Sequence, residues 1–532
     1  MKKIILLFAI LLLYSVDAYS QYSAGISINY NNPNLAYKYG TIKPNVSQST
    51  RKQNTIDFYV KWRNKYFKTH GDNEAYINME TDDWGYPNTT TSEAHGYGMM
   101  IMAYMGDSYR FNKLFTYYKN HRSSTDGNYL MSWKQSNGNI LSNTLDGAVW
   151  AGTASDGDID IAYALMLADK RWEGNQYLVY AKRIIKGIKL KQVSSSNTVL
   201  LGGWVNGPYA SSAQKNATRP SDLVLDHFRA FQRVSGQWNI WKKIINKSKQ
   251  VLYEASSNAG NTPLVSDFIV NATGSNPRNA IGEVLESYRD QLFYHNAVRV
   301  PWRIGTDYLT SSSWETHANY SKTFCNGINE FFKEKTDNDD GDGPLPQRLR
   351  FGYKPSTGYS WYNSTYWHSK MSLLGPLAVS AMVDSSNQVW LDRLYAKIVS
   401  KNIENSYFED TIKMMCLIVL EGRYWTPHYS NHEHWAYKDN QQNQENIVIK
   451  KLNVYPNPVN SDANINISYP VKETTTIQVS IVNVLGAIVY KDTTELQPGK
   501  ETFTIKNDFE QGMYLVKINN NGNINTTKLI IN

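Results

Sequence analysis

The chain contains little cysteine. Cys325 and Cys416 are its only two cysteines in 532 residues. One pair permits a single disulfide in an exported protein, yet a chain of this length can bury a core without it, and buried free cysteines behave as small apolar residues. The sequence leaves open whether they pair and gives them no catalytic role.

Long apolar runs are equally scarce. Ile4–Tyr14 is almost free of polar residues, but it is shorter than the roughly 20 apolar residues of a membrane-spanning helix. The basic start Lys2-Lys3 precedes it, and Ala18-Tyr19-Ser20 follows with small residues at both ends. This pattern predicts a signal peptide over residues 1–20 and an exported protein without a membrane span.

Runs of basic residues are missing too. The formal net charge is only +8, so the charge pattern gives no indication of a nucleic-acid partner. Aromatic residues, in contrast, are plentiful, with 15 Trp and 38 Tyr. Such rings stack on the C–H faces of sugars, but large cores need them as well, and composition alone does not separate the two explanations.

The length and a change of hydrophobic period predict two unequal domains. Over residues 21–437 the apolar spacing is mostly helical, and loops rich in Gly, Asn, Ser and Asp separate the helices, which predicts an all-α domain. The predicted helical segments are Phe58–Tyr66, Met99–Met105, Ile159–Trp172, Tyr177–Ile188, Leu223–Phe231, Trp238–Leu252, Trp302–Leu309, Met371–Met382 and Ile412–Leu420.

The polar tract 438–451 has little to bury and is typical of a linker. Beyond it the period becomes two, which predicts a small β-sandwich over residues 452–532. The alternating apolar residues include Ile477, Val479, Ile481, Phe503, Ile505, Tyr514, Val516 and Ile518.

The strongest chemical motif is Ala154-Ser155-Asp156-Gly157-Asp158-Ile159-Asp160. It places three carboxylates in five residues directly before a helical pattern. Ser155 or Asp156 could cap that helix, for which one acid would suffice. Three acids, with Gly157 allowing the backbone to approach a ligand closely, favour a functional site.

This run resembles the signature of glycoside hydrolase family 8, which continues into a helix that closes on Trp, here Trp172. The resemblance implies an (α/α)6 toroid and an inverting endo-hydrolase of β-1,4-linked polysaccharides that needs no metal or organic cofactor. Inversion requires a protonated carboxylic acid and a carboxylate that activates water, roughly 6.5–9.5 Å apart.

A second block supplies the acid. The run Ser92–Met99 resembles the family's Ser-Glu-x-x-x-Tyr-Gly-Met block, which makes Glu93 the general acid. A helix start favours the charged carboxylate, so burial or a like charge must keep the proton on Glu93. A capping acid in the first helical turn is the alternative. Asp156 takes the position of the family's aspartate at the −1 sugar and can supply the like charge.

The base departs from the family's commonest pattern. Where cellulases and xylanases carry Asp three residues before the Arg of an Ala-x-Arg-x-Pro-Trp-Arg block, this chain has Asn296 before Arg299. An amide cannot accept the proton of water. The chitosanase branch shares this Asn and uses a Glu on an inserted loop upstream, where Glu286 stands; Glu283 is its competitor, and a solvated helix face is the alternative for both. If neither acts, the remaining carboxylates are Asp156, Asp222 and Asp290.

Other residues complete the predicted cleft. Trp133 resembles a family Trp that stacks on a sugar, or else belongs to the core. Arg299, beside Asn296, would hold the −1 sugar or a carboxylate. Asp222 ends Thr218-Arg219-Pro220-Ser221-Asp222, which resembles the chitosanase form of a substrate-binding block, and Tyr362 aligns with a Tyr that lines the cleft.

Two metal motifs are weak. Residues 338–343 resemble the first half of a calcium loop, but Leu349 stands where a bidentate Glu is required. The second motif lacks helical spacing for zinc. It comprises His428, His432, Glu433 and His434.

The end of the chain resembles the C-terminal sorting domain of the type IX secretion system. The matching residues are Val454–Pro458, Gly512–Val516 and Lys528–Ile531. A carbohydrate-binding module is the alternative, but no Trp lies beyond Trp435. The resemblance implies a secreted or cell-surface location.

We therefore expect a secreted, monomeric chitosanase whose partners are its polysaccharide and the secretion machinery. β-Glucan and xylan are the alternative substrates. A polysaccharide-binding protein that has lost its base is the alternative class.

Overall fold

The computed structural model describes residues 37–532 except 82–84, 127–128, 142–151, 173–175, 261, 312–317, 337–343, 362–368, 430–451, 462, 470, 472–473, 484–486, 499–501 and 521–522. The predicted signal peptide, linker, calcium loop and Tyr362 lie outside the described residues. The chain divides into two compact units, Met1–Ser430 and Asn431–Asn532.

Twelve long helices occur among the described residues of the first unit, and they alternate between an inner and an outer ring. The inner helices are α2 (Ser92–Met105), α4 (Ser155–Arg171), α6 (Leu225–Val234), α8 (Val300–Leu309), α10 (Met371–Ala381) and α12 (Tyr407–Glu421). The outer helices are α1 (Gln48–Tyr66), α3 (Ser108–Asn120), α5 (Tyr177–Lys191), α7 (Trp238–Ser257), α9 (Ala318–Glu334) and α11 (Gln388–Ser400).

The inner helices close a ring, because each contacts the next and α12 contacts α2. Each outer helix packs on the inner helix beside it in the chain, with α1 packing on α12. The predicted (α/α)6 toroid is therefore confirmed. Inner helices such as α10 are buried on every side, whereas outer helices such as α5 bury one stripe, here Ala181, Ile184, Ile185 and Ile188.

Short strands lie in the connections of the toroid. Strands β1 (Phe67–His70) and β2 (Glu74–Ile77) form a hairpin, and β6 (Ile269–Val270) pairs with β7 (Arg278–Asn279). The antiparallel sheet β3-β4-β5 comprises Thr89–Thr91, Lys134–Ser136 and Asn139–Ile140. Since β3 leads directly into α2, this sheet fixes the residues that precede Glu93.

The described residues of the second unit form two antiparallel sheets. One has the order β11 (Ile488–Leu496), β10 (Thr475–Asn483), β13 (Gly512–Asn520) and β14 (Asn523–Ile531). The other has the order β12 (Thr502–Ile505), β9 (Ile465–Ser468) and β8 (Asn453–Tyr455). The core of the second unit contains the β10 residues Ile477, Val479 and Ile481, as the alternation predicts.

Cys325 and Cys416 are both free and buried within the toroid, so they form no disulfide. Cys416 of α12 lies against Gly375 of α10, where an added Cβ would come within 3.0 Å of its sulfur. The pair therefore serves as core packing. In the described part of the chain, no helix is long and apolar enough to cross a membrane.

Candidate active site

Two glycines bring the candidate carboxylates of α2 and α4 together. A Cβ on Gly157 would lie 2.3 Å from Ser92 Oγ, and one on Gly96 would lie 2.8 Å from the Cβ of Asp160. The prediction that Gly157 makes room for a ligand is therefore wrong, because the space is taken by the backbone of α2. Ala154, the N-cap residue of α4, makes no side-chain cap bond, but Oδ1 of Asp156 accepts from the backbone N–H of Gly157 at 2.8 Å in the first turn. The close contact of these helix starts places Glu93 beside Asp156.

Glu93 lies in the first turn of α2, behind the N-cap Thr91, with 18% of its side chain exposed. Its carboxylate accepts a hydrogen bond from the buried guanidinium of Arg299. Burial raises the pKa of Glu93 to about 7; Arg299 acts in the opposite direction, and the charge of Asp156 adds to the increase. A proton is thus available on Glu93 near neutral pH.

Arg299 connects Glu93 to the position of the missing aspartate. It lies directly before α8 and is almost completely buried. Its Nη1 also donates to the hydroxyl of Tyr97 at 2.8 Å, and its Nη2 donates to Oδ1 of Asn296 at 2.5 Å. Asn296 is therefore held as an acceptor towards Arg299, which leaves its amide nitrogen to face another group.

That group is Glu286. Nδ2 of Asn296 donates to Oε2 of Glu286 at 3.1 Å, and Arg219 donates to Oε1 from Nε at 3.1 Å and from Nη2 at 3.0 Å. The side chain of Glu286 stays 44% exposed. The structure thus joins Glu93, Arg299, Asn296, Glu286 and Arg219 in one continuous hydrogen-bonded row.

The segment that carries Glu286 is a loop, so the alternative of a solvated helix face is wrong. Its backbone is gathered around the buried carboxylate of Asp290, which accepts four N–H bonds. The donors are Val284 and Leu285 at 2.8 Å and Glu286 and Ser287 at 3.0 Å. With both oxygens occupied in this way, Asp290 holds the loop. Glu283, in contrast, is exposed.

A second pair of acids lies behind the row. Asp222 is fully buried in the turn before α6, and its Oδ2 has no hydrogen-bond partner among the described residues. Burial, followed by the charge of Asp156, raises its pKa well above the ordinary value. The predicted contact of Asp222 with substrate stays a prediction.

The other two acids of the motif have structural contacts. Asp158 accepts from the backbone of Met131 at 2.8 Å and from Gln192 at 2.6 Å, and burial raises its pKa. Asp160 forms an ion pair with Arg303 at 2.6 Å and lies 3.2 Å from His227. Burial alone would raise the pKa of Asp160, but Arg303 and His227 together hold it below the usual range.

Trp133 and part of one predicted metal motif are also described by the structure. Trp133 is partly exposed, and its carbonyl accepts from the N–H of Ser92, which places it beside the start of α2. Of the predicted metal motifs, only His428 is described, and it lies 3.3 Å from a guanidinium nitrogen of Arg233. No group of three metal-ligating side chains occurs among the described residues.

Sequence reasoning missed Asp267. Its Oδ1 accepts from the N–H of Tyr294 at 2.9 Å and of Ala297 at 2.8 Å, so it holds the turn that presents Asn296. Burial raises its pKa to about 8. No local pattern marks it, because Asp267 stands in an irregular loop far from Asn296 in sequence. The role of Arg219 as the ion-pair partner of Glu286 was also missed, although its block was noted.

A toroid of paired helices, with two carboxylates joined through an arginine and an asparagine at one end of the inner ring, defines an endo-acting glycoside hydrolase. The chain belongs to glycosyl hydrolases family 8, whose model matches residues 44–348. Residues 453–532 match the model of the secretion system C-terminal sorting domain.

The relatives are glucanases by name. A β-glucanase from Niallia circulans is 35% identical over 73% of this chain and 90% of its own length. An endoglucanase from Bacillus sp. (strain KSM-330) is 30% identical over 73% of this chain and 80% of its own.

Solved structures share the fold. The apo structure of a β-1,3-1,4-glucanase from Paenibacillus sp. X4 covers 74% of this chain and 98% of its own, at 34% identity and a TM-score of 0.65. A cold-adapted family 8 xylanase covers 75% and 99%, at 17% identity and a TM-score of 0.58, and is a likeness of fold alone.

Proposed function

We propose that this protein is an inverting endo-β-glucanase that hydrolyses β-1,4 bonds in a β-1,3-1,4-glucan, with Glu93 as general acid and Glu286 as general base. The row from Glu93 through Arg299 and Asn296 to Glu286 carries the proposal. Its two carboxylates share one hydrogen-bonded row without direct contact between them, which supports an inverting reaction, because that reaction uses a water molecule between acid and base.

Glu93 fits the acid because its pKa of about 7 leaves it largely protonated in mildly acidic solution and about half protonated at neutral pH. A general acid works best when its pKa is close to the working pH. Asp156 would bind the −1 sugar, and its negative charge helps Glu93 to retain its proton.

Glu286 fits the base because it forms an ion pair with Arg219 and its side chain remains open to water. Asn296 cannot take the proton, but its amide donates to Oε2 of Glu286 and orients that carboxylate. The catalytic base would thus lie on the loop, at Glu286, rather than before α8, where other members of the family carry an aspartate. Asn296, which occupies that aspartate's position, would support the base.

Two observations support a β-glucan as the substrate. The relatives at about one-third identity are named as a β-glucanase and a β-1,3-1,4-glucanase. In addition, the cations Arg219 and Arg299 are paired with Glu286 and Glu93, so the row has little net negative charge to attract an ammonium polymer. Both points favour a neutral glucan over chitosan.

Chitosan remains the second candidate, because the exposed carboxylate of Glu286 on its loop matches the chitosanase-like arrangement. The test is the release of reducing ends from barley β-glucan, chitosan, carboxymethylcellulose and xylan under matched conditions. Release mainly from β-glucan supports the proposal, and release mainly from chitosan replaces the substrate. Binding without any release identifies a polysaccharide-binding protein instead.

We also propose that residues 1–20 are a signal peptide and that the second unit then directs the chain through type IX secretion. The hydrophobic run before Ser20 and the sorting domain support this route. N-terminal sequencing of the released protein tests it, since the mature chain should begin at Gln21.

A further inference from the structure

Two large aromatic side chains stand exposed directly beside the loop of Glu286. Tyr288 follows Glu286 by two residues with 48% of its surface exposed, and Trp361 is 37% exposed. Their ring centroids are 6.2 Å apart with an angle of 46° between the planes. Single exposed aromatic rings are common, but a contacting pair of them next to an active site suggests a ligand surface.

The pair is held in place by backbone hydrogen bonds rather than by mutual contact alone. Phe293 and Tyr353 exchange N–H···O bonds of 2.8 and 3.2 Å, which connect the segment after Tyr288 to the segment before Trp361. The N–H of Trp361 donates to the carbonyl of Gly352 at 2.6 Å. The surface is therefore formed before any ligand arrives.

Each ring has a cation on one side. The Lys354 ammonium lies 4.8 Å from the centre of the Trp361 ring, and the Arg289 guanidinium lies 5.1 Å from that of Tyr288. A cation over one face of a planar ring does not cover the opposite face, on which a sugar can stack. Its N–H groups are donors that suit the hydroxyls of a sugar bound nearby.

We propose that Tyr288 and Trp361 form a binding platform for a pyranose ring of the substrate chain other than the one being cleaved. The proposal rests on the proposed function. The occupant is the β-linked glucan itself, because the platform continues the loop whose Glu286 faces the row of catalytic candidates. Apolar C–H faces of pyranoses suit aromatic rings, and hydroxyls suit the flanking cations.

A platform remote from the scissile bond should act only on chains long enough to reach it. The test uses the full chain with Glu93→Gln, so that titrated mixed-linkage β-glucan oligosaccharides of increasing length are not consumed. Trp361→Ala and Tyr288→Ala should each weaken binding of the long oligosaccharides on the order of 3- to 10-fold, with the shortest ones unaffected. Tyr288→Phe should bind normally, because it keeps the ring.

Tyr253→Ala is the matched control, since Tyr253 is 62% exposed on the outer helix α7. Equal losses for short and long oligosaccharides, or no loss at all, would overturn the platform. Turnover of the chain with native Glu93 is measured separately. An inactive chain that still loses affinity for long oligosaccharides on Trp361→Ala would support the platform and overturn the proposed hydrolysis.

Discussion

Replacing Glu286 by Gln tests the position of the base most directly. Arg219 donates only to Oε1 and Asn296 only to Oε2 of Glu286. A glutamine with its oxygen towards Arg219 keeps both bonds from the guanidinium and turns its NH2 against the NH2 of Asn296. The structural cost is then one hydrogen bond, about 0.5–1.5 kcal/mol, and the charge of a partly exposed ion pair adds at most about 1 kcal/mol.

The catalytic cost is larger. Loss of general base catalysis lowers kcat by ~10²–10⁴-fold, which corresponds to about 3–5 kcal/mol of activation free energy. We therefore expect Glu286→Gln to lose at least about a hundredfold in kcat on soluble β-glucan, with a much smaller change in KM. Initial rates of reducing-end release at saturating substrate measure this.

Glu283→Gln is the control, because Glu283 lies on the same loop and is exposed. It should retain nearly full activity. A Glu286→Gln enzyme that keeps more than about a tenth of the wild-type kcat would refute the assignment, since loss of general base catalysis lowers kcat by more than that. If Glu283→Gln were inactive instead, the base would be Glu283. If both variants stayed active, Asp156 and Asp222 would be the remaining candidates for the base. Asp290 is not a candidate, because its two oxygens accept hydrogen bonds from four backbone N–H groups.

Four further outcomes are expected. Glu93→Gln should lower kcat by ~10²–10⁴-fold while oligosaccharide binding, measured by titration, persists; retention of a tenth of the rate would remove Glu93 as the acid. Asp156→Asn removes a charge that raises the pKa of Glu93, so the alkaline limb of the pH–rate profile, near pH 7 in the native enzyme, should move to lower pH; an unmoved limb contradicts this. Asp290→Asn should lower kcat on the order of 10–100-fold by loosening the loop, and Asp290→Glu should not restore it; a fully active Asp290→Asn enzyme would show that the loop needs no anchor. Deletion of residues 453–532 should leave kcat and KM within about twofold and abolish release from the cell, because the tail is a separate unit; normal release would contradict the sorting role.

The fold was predictable because the inner helices carry strong apolar patterns and their N-terminal ends carry the motifs. Three outer helices, α3, α9 and α11, are not among the predicted segments. The spacing of Leu391, Leu394, Tyr395 and Ile398 is helical and could have revealed α11. In α9, the polar residues Ser321 and Asn329 stand in the buried stripe, so packing against the inner ring decides its structure more than local propensity does.

The site was predictable only in part, for a similar reason. Glu93 and Asp156 stand in continuous motifs at helix starts, and their proximity follows once the two glycines pack α2 against α4. The supports of Glu286 could not be predicted in the same way. Asp267 acts on backbone N–H groups of an irregular loop, and such bonds depend on the local path of the chain, which leaves no periodic signal in the sequence. Asp290 differs, because Ser287 and Asp290 form a capping box, and that short pattern could have marked Asp290 as a support.

The contrast between Glu93 and Asp160 explains how one buried region can contain both a neutral and a charged acid. Asp160 receives two bonds from Arg303, at 2.6 and 3.0 Å, and lies beside His227. Those positive groups exceed the cost of burial and keep Asp160 charged. Glu93 has one arginine, Arg299, which it shares with Tyr97 and Asn296, and it faces the negative charge of Asp156. Burial then prevails, and a proton stays on Glu93 where an acid catalyst needs it.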